Sequence, residues 1–210
     1  MTMPSRCWSL AAVLLLLTVV LVCVLVVDRP LAMALSLYGA WMVPTARAFT
    51  DLITVLVMPG LPKWVHPLVL ALIGLLLSWR LGSAGLKPFL LTALTLLATR
   101  ITVTELKGVF ERVRPFDYVA DPTVADFFKA GHDSFPSGHT AVYMGLLMPV
   151  ALLFPRWRVP LLLLAGLLAI LRVIEGDHYL GDICASALVA LVYTLIFGRL
   201  LGLRAQGAVA

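Results

Sequence analysis

The sequence predicts an all-α polytopic membrane protein, with six transmembrane helices and short interfacial helices packed beside them. Three observations predict it. The 210-residue chain is 61% hydrophobic and only 13% charged, whereas soluble domains run at roughly 45–50% apolar and about 25% charged. Its apolar residues gather in runs close to the roughly 20 residues a helix needs to cross a bilayer. Its charges also sort from loop to loop, as membrane insertion requires. At this length the chain is most simply one domain, residues 1–210.

The elements follow in order. An apolar run from about 8 to 27 succeeds Arg6. It exceeds the roughly 7–15-residue core of a secretory signal, so it is expected to span. Ala32-Met33-Ala34 resembles a cleavage site, which keeps a removed signal peptide as the alternative. Residues 30–60 are semi-polar and carry Pro30, Pro44, Pro59 and Gly60. One or two short interfacial helices are expected there, with a buried hairpin as the alternative. Spans at 64–79 and 86–106 come next, the second of them carrying Arg100 and Glu105. A mixed-charge loop over 116–135 is placed to cover or gate a pocket. Spans at 139–154, 159–175 and 181–201 complete the set, the last containing Arg199. Trp8, Trp41, Trp64 and Trp157 fit interfacial anchors.

Charge sets the orientation. With the N-terminus cytoplasmic, the inner segments hold Arg6, Arg80, Lys87, Arg156, Arg158, Arg199 and Arg204, and no acid. All eleven acidic residues fall on the other side. Short cationic inner loops fix such a topology, in a plasma membrane or bacterial inner membrane. They also account for much of the net charge of +5. The basic residues are scattered rather than striped, so no nucleic-acid partner is expected. Cys7, Cys23 and Cys184 form neither a disulfide framework nor a zinc pattern. They read as small buried apolar residues.

Three polar clusters interrupt the apolar runs: Lys107-x6-Arg114-Pro115, Pro136-Ser137-Gly138-His139, and Arg172-x5-His178-x3-Asp182. All lie at span ends, and the predicted topology puts all three on the outer face. Lys107, Arg114 and Arg172 can surround a phosphate, arginine by a bidentate grip and lysine as a point charge. Ser137 and Gly138 begin a helix whose free N–H groups favour an anion. Ser137 can cap that helix or bond phosphate, and Gly138 allows close backbone approach. His178 and Asp182 share a face if helical. A carboxylate on one ring nitrogen then leaves the other free to attack. His139 is the candidate general acid toward the leaving oxygen. No metal or cofactor is expected, because no carboxylate cluster suited to magnesium is present. Arg100, Thr104 and Lys107 share one face of the third span. Arg100 is either paired with an acid or used for a second phosphate or a headgroup. His132 and Asp133 lie where they could contact a headgroup.

These residues, at these spacings, resemble the tripartite signature of the type 2 phosphatidic acid phosphatase superfamily of membrane lipid phosphatases, over Lys107 to Asp182. The resemblance implies a phosphohistidine at His178, an acid at His139 and an orienting Asp182. It implies phosphate contacts from Lys107, Arg114, Ser137, Gly138 and Arg172. One departure is clear: Leu171 stands where the family usually has Ser. The implied partners are a lipid phosphate or diphosphate substrate and membrane lipids. Undecaprenyl diphosphate, phosphatidylglycerophosphate, phosphatidic acid and lipid A phosphates are the candidates. A phosphotransferase using the same intermediate is the alternative, and a transporter is the non-enzymatic one.

Overall fold

The computed structural model describes residues 2–3, 6–57, 62, 65–81 and 83–205. Its elements are helices: α1 (Arg6–Val22), α2 (Asp28–Tyr38), α3 (Val43–Val57), α4 (Val65–Leu81), α5 (Ser83–Phe110), α6 (Pro115–Ala120), α7 (Gly138–Leu153), α8 (Arg158–Ile174) and α9 (Leu180–Leu200). The only strands among the described residues are two-residue pieces, Thr2–Met3 pairing in parallel with Arg204–Ala205.

Four helical segments are long and apolar enough to cross a membrane: Cys7–Tyr38, Leu86–Ala120, Pro155–Ile174 and Leu180–Leu200. Val65–Ser78 and Gly138–Leu153 are shorter apolar helices. They coincide with the second and fourth expected spans. Leu10, Leu14, Leu15, Leu21 and Leu25 lie exposed along the first segment, and Leu72, Leu75 and Leu76 along α4. Such broad apolar exposure suits contact with lipid and not with water. The chain is an integral membrane protein.

The first segment departs from expectation. It does not stop near 27 but continues through a π-helical turn at Cys23–Val27 into α2. Pro30 does not break it, and the π-helical turn lies just N-terminal to it. The π turn absorbs the change of register. The rest of the expected interfacial region forms α3, joined to α2 by a 3₁₀ turn at Ala40–Met42. Pro59, Gly60 and Trp64 lie outside the described residues, as do the side chains of Arg6, Arg80 and Arg204. Trp8, Trp41 and Trp157 are exposed. Cys23 is buried, Cys184 half-buried, and Cys7, expected inside, is exposed. It stands in the first turn of α1.

α7 is the central helix, packed on α5, α8 and α9, while α4 packs on α5 and α1 on α9. Small residues permit this. A methyl group at Gly145 of α7 would come within 3.0 Å of the Leu96 Cα on α5, so only glycine lets those backbones approach so closely. Ala185, Ser186, Ala187 and Ala190 are buried along α9 for the same reason. The packing brings the C-terminal ends of α5 and α8 against the N-terminal starts of α7 and α9. Every polar cluster sits at one of those ends.

Candidate active site

Backbone hydrogen bonds join the three clusters. Phe116 N–H donates to the Gly176 carbonyl at 3.2 Å, Ser134 N–H to Arg112 at 2.9 Å, and Ser137 N–H to Asp182 at 3.2 Å. The Ser186 hydroxyl donates to the Ser137 carbonyl at 2.8 Å. Lys107 lies over Gly138, since a Cβ there would touch its Cε at 3.8 Å. All eight residues singled out from the sequence therefore belong to one neighbourhood.

Ser137 is the N-cap of α7, accepting from Thr140 N–H at 3.4 Å and from the Thr140 hydroxyl at 3.0 Å. That is the usual service of a serine at a helix start. His139 follows in the first turn, its Nε2 3.2 Å from the Thr54 hydroxyl of α3. The charges of Arg172, Asp177 and Lys107 act on it.

His178 is buried in the turn before α9 and not on a helix. Its Nδ1 lies 2.8 Å from the Ser134 carbonyl oxygen and 3.5 Å from Asp182 Oδ2. Sequence spacing pointed to the carboxylate as the orienting group; the Ser134 carbonyl is the nearer partner. A carbonyl only accepts, so Nδ1 carries the proton and neutral His178 presents its lone pair at Nε2. Burial pushes the His178 pKa below its ordinary value, against the opposing pull of Asp182 and with help from Lys107 and Arg172.

Asp182 is itself held from several sides. It accepts from the Ser134 hydroxyl at 2.6 Å, from Tyr179 N–H at 2.8 Å and from Arg112 at 2.7 Å. Arg112 was missed in the sequence because it lies between the cluster positions Lys107 and Arg114. It is fully buried. Its Nη1 also donates to Asp28 at 2.8 Å, and its Nε and Nη2 form a fork on Asp126 at 3.0 and 3.2 Å. The guanidinium lies 4.0 Å from the Tyr179 ring centroid and 4.7 Å from that of Phe127. Asp28, read from sequence as a loop charge, reaches across the fold to cap α9 through Gly181 N–H at 2.8 Å. A Cβ at Gly181 would stand 2.5 Å from that carboxylate, so this approach needs glycine.

The cations expected on phosphate are engaged by carboxylates of the chain. Asp133 accepts from Arg114 Nη2 at 2.7 Å and Nε at 3.1 Å, and its side chain lies 3.3 Å from Lys107 Nζ. Its backbone carbonyl also accepts from Lys107. Burial would raise the Asp133 pKa, but Arg114 and Lys107 outweigh it and hold the group below the usual range. Arg172 pairs with Glu175 and Asp177, and Glu175 accepts from Thr50 of α3. The buried Nε of Arg172 has no protein partner among the described residues. Among those residues no group of three His, Cys, Asp or Glu side chains is placed to hold a metal ion.

Comparison with known proteins gives the family. The family model of the PAP2 superfamily matches residues 88–204. A lipid A 1-phosphatase of Rhizobium johnstonii is 36% identical over 102 residues, covering 45% of this chain and 41% of that protein. A lipid A 1-phosphatase of Rhizobium etli is 38% identical over 100 residues, covering 42% and 43%. The chain thus aligns with less than half the length of these curated relatives. No solved structure matches. The matched segment runs from the start of α5 to beyond α9 and contains every polar cluster, and the chain belongs to the PAP2 superfamily.

Proposed function

We propose that the protein is a lipid phosphatase that hydrolyses a lipid phosphate or diphosphate through a phosphohistidine at His178. Neutral His178 attacks phosphorus with Nε2, and the bond to the lipid oxygen breaks. His139 gives its proton to that oxygen. Asp182 and the Ser134 carbonyl stabilise the positive ring. Water, deprotonated by His139, then releases inorganic phosphate and restores His178. Lys107, Arg114 and Arg172, with the Gly138 region at the start of α7, neutralise the transferring group. These cations supply the positive field without a metal.

The observation that carries this reading is the pairing of a buried, Nδ1-anchored His178 with the basic side chains gathered around it. The unpartnered Nε of Arg172 supplies a further donor for an oxyanion. The similar rhizobial proteins are lipid A 1-phosphatases, which puts a lipid A phosphate first among the substrates. The six apolar helices span with the N-terminus in the cytoplasm, so the site faces the outer leaflet of the inner membrane. A panel of lipid phosphates, assayed with detergent-purified protein and a chelator, tests the reading. Phosphate release should survive the chelator and vanish in His178→Ala. Release that stops on chelation contradicts the metal-free route.

A further inference from the structure

Arg100 has no part in the mechanism above, yet it occupies costly ground. It lies within Leu86–Ala120, a segment apolar enough to cross a membrane. Charges at such depth are rare and mark sites of use. Arg100, Thr104 and Lys107 stand at spacings of four and three on one face of α5. They line a cleft of about 210 Å³ whose opposite wall is Gly138, His139 and Ala141 of α7. Arg100 sits about 10 Å further along the helix axis than Lys107, on the side away from the loop that carries Asp133. The Thr104 hydroxyl donates to the Arg100 carbonyl at 2.8 Å.

The chemistry of the leaving group gives Arg100 a purpose. If His139 protonates the leaving oxygen, the departing lipid lies in the cleft that His139 lines. A lipid leaving as a plain alcohol has no need of a guanidinium there. A lipid that keeps a phosphate does. We propose that Arg100 forms an anion subsite for a second phosphate of the same lipid, the one retained after hydrolysis. This rests on the phosphatase reading and narrows its substrate class to lipids with two phosphates. In a lipid diphosphate, the His178 Nε2–P bond forms as the bridging P–O bond breaks. The electron pair stays on the bridging oxygen, His139 protonates it, and Arg100 holds the resulting lipid monophosphate. In a lipid with phosphates on separate positions, the leaving oxygen is a hydroxyl and Arg100 holds the remote phosphate.

Paired substrates test this with the full chain in detergent. One pair is farnesyl diphosphate and farnesyl monophosphate. The other is lipid A carrying both phosphates and lipid A carrying only the one at the reducing end. Arg100→Gln should lower kcat/KM on the doubly phosphorylated member by about tenfold or more, as loss of a charge-assisted hydrogen bond does. The singly phosphorylated member should be unaffected, and Arg100→Lys should recover part of the loss. A loss confined to the farnesyl pair assigns a directly joined phosphate; one confined to the lipid A pair assigns a remote one. Equal loss on both members, or none on either, overturns the subsite. If wild type cleaves none of the four, the phosphatase reading fails instead. Calorimetry with inorganic pyrophosphate against inorganic phosphate then decides for Arg100: wild type should bind pyrophosphate the more tightly and Arg100→Gln should not, and either no preference in wild type or an unchanged ratio in the variant refutes the subsite.

Discussion

Arg112→Gln should be far more damaging than its position in a loop suggests. The side chain is fully buried, as are those of Asp28 and Asp182, while Asp126 is 11% exposed. Four donor–acceptor contacts of 2.7 to 3.2 Å bind the guanidinium to these three carboxylates. Its removal takes the guanidinium away from Asp28 and Asp182, both fully buried, while Asp126 keeps Arg29 at 3.6 Å. Breaking one side of a buried ion pair costs roughly 3–5 kcal/mol, a large share of the about 5–15 kcal/mol that holds a typical domain folded. Arg114 offers an internal control two residues away. It is 29% exposed and its partner Asp133 52% exposed, a setting in which an ion pair contributes roughly 1 kcal/mol or less. Equilibrium unfolding in detergent should therefore show Arg112→Gln costing several times as much as Arg114→Gln. Arg112→Lys should fall between, since it keeps the charge but loses the fork. Equal costs for the two arginines would refute the reasoning that burial makes Arg112 the anchor of Asp182.

Two further outcomes follow from the same geometry. Asp133 occupies the two cations that a phosphate would use, so Asp133→Asn should tighten competitive inhibition by inorganic phosphate about fivefold, the equivalent of roughly 1 kcal/mol for a half-exposed pair; unchanged or weaker inhibition counts against that role. The folded His178 lies below the ordinary histidine value of about 6.5. The unfolded chain therefore binds its proton first as pH falls. The contribution to stability is intact above about 6.5 and is lost as pH drops through the depressed value. The acid limb of kcat/KM should likewise fall below about pH 6.5, and a limb above it would show that burial does not govern this ring.

Much of the architecture was legible because it is written locally. α5, α7, α8 and α9 end within a few residues of the expected spans, since apolar runs end where charges and capping residues begin. The Pro136–His139 cluster announced a helix start, and α7 begins at Gly138. What stayed hidden is non-local. Asp28 and Gly181 meet across 153 positions, and nothing near Asp28 marks it as buried. Thr50 and Thr54 read as residues of an interfacial helix, but the fold aims them at Glu175 and His139. Ser134 lies outside any cluster, yet it holds both His178 and Asp182. A backbone carbonyl carries no sequence signature, so the nearest partner of His178 could not be read in advance.

A nucleophilic imidazole leaves a trace that other routes do not. Brief incubation with a ³²P-labelled lipid phosphate, acid-free denaturation and peptide mapping should find a base-stable, acid-labile label on His178. His139→Ala should acquire that label more slowly and, once labelled, lose it slowly. A wild-type enzyme that turns over substrate with no label on His178 in any quench would contradict the account.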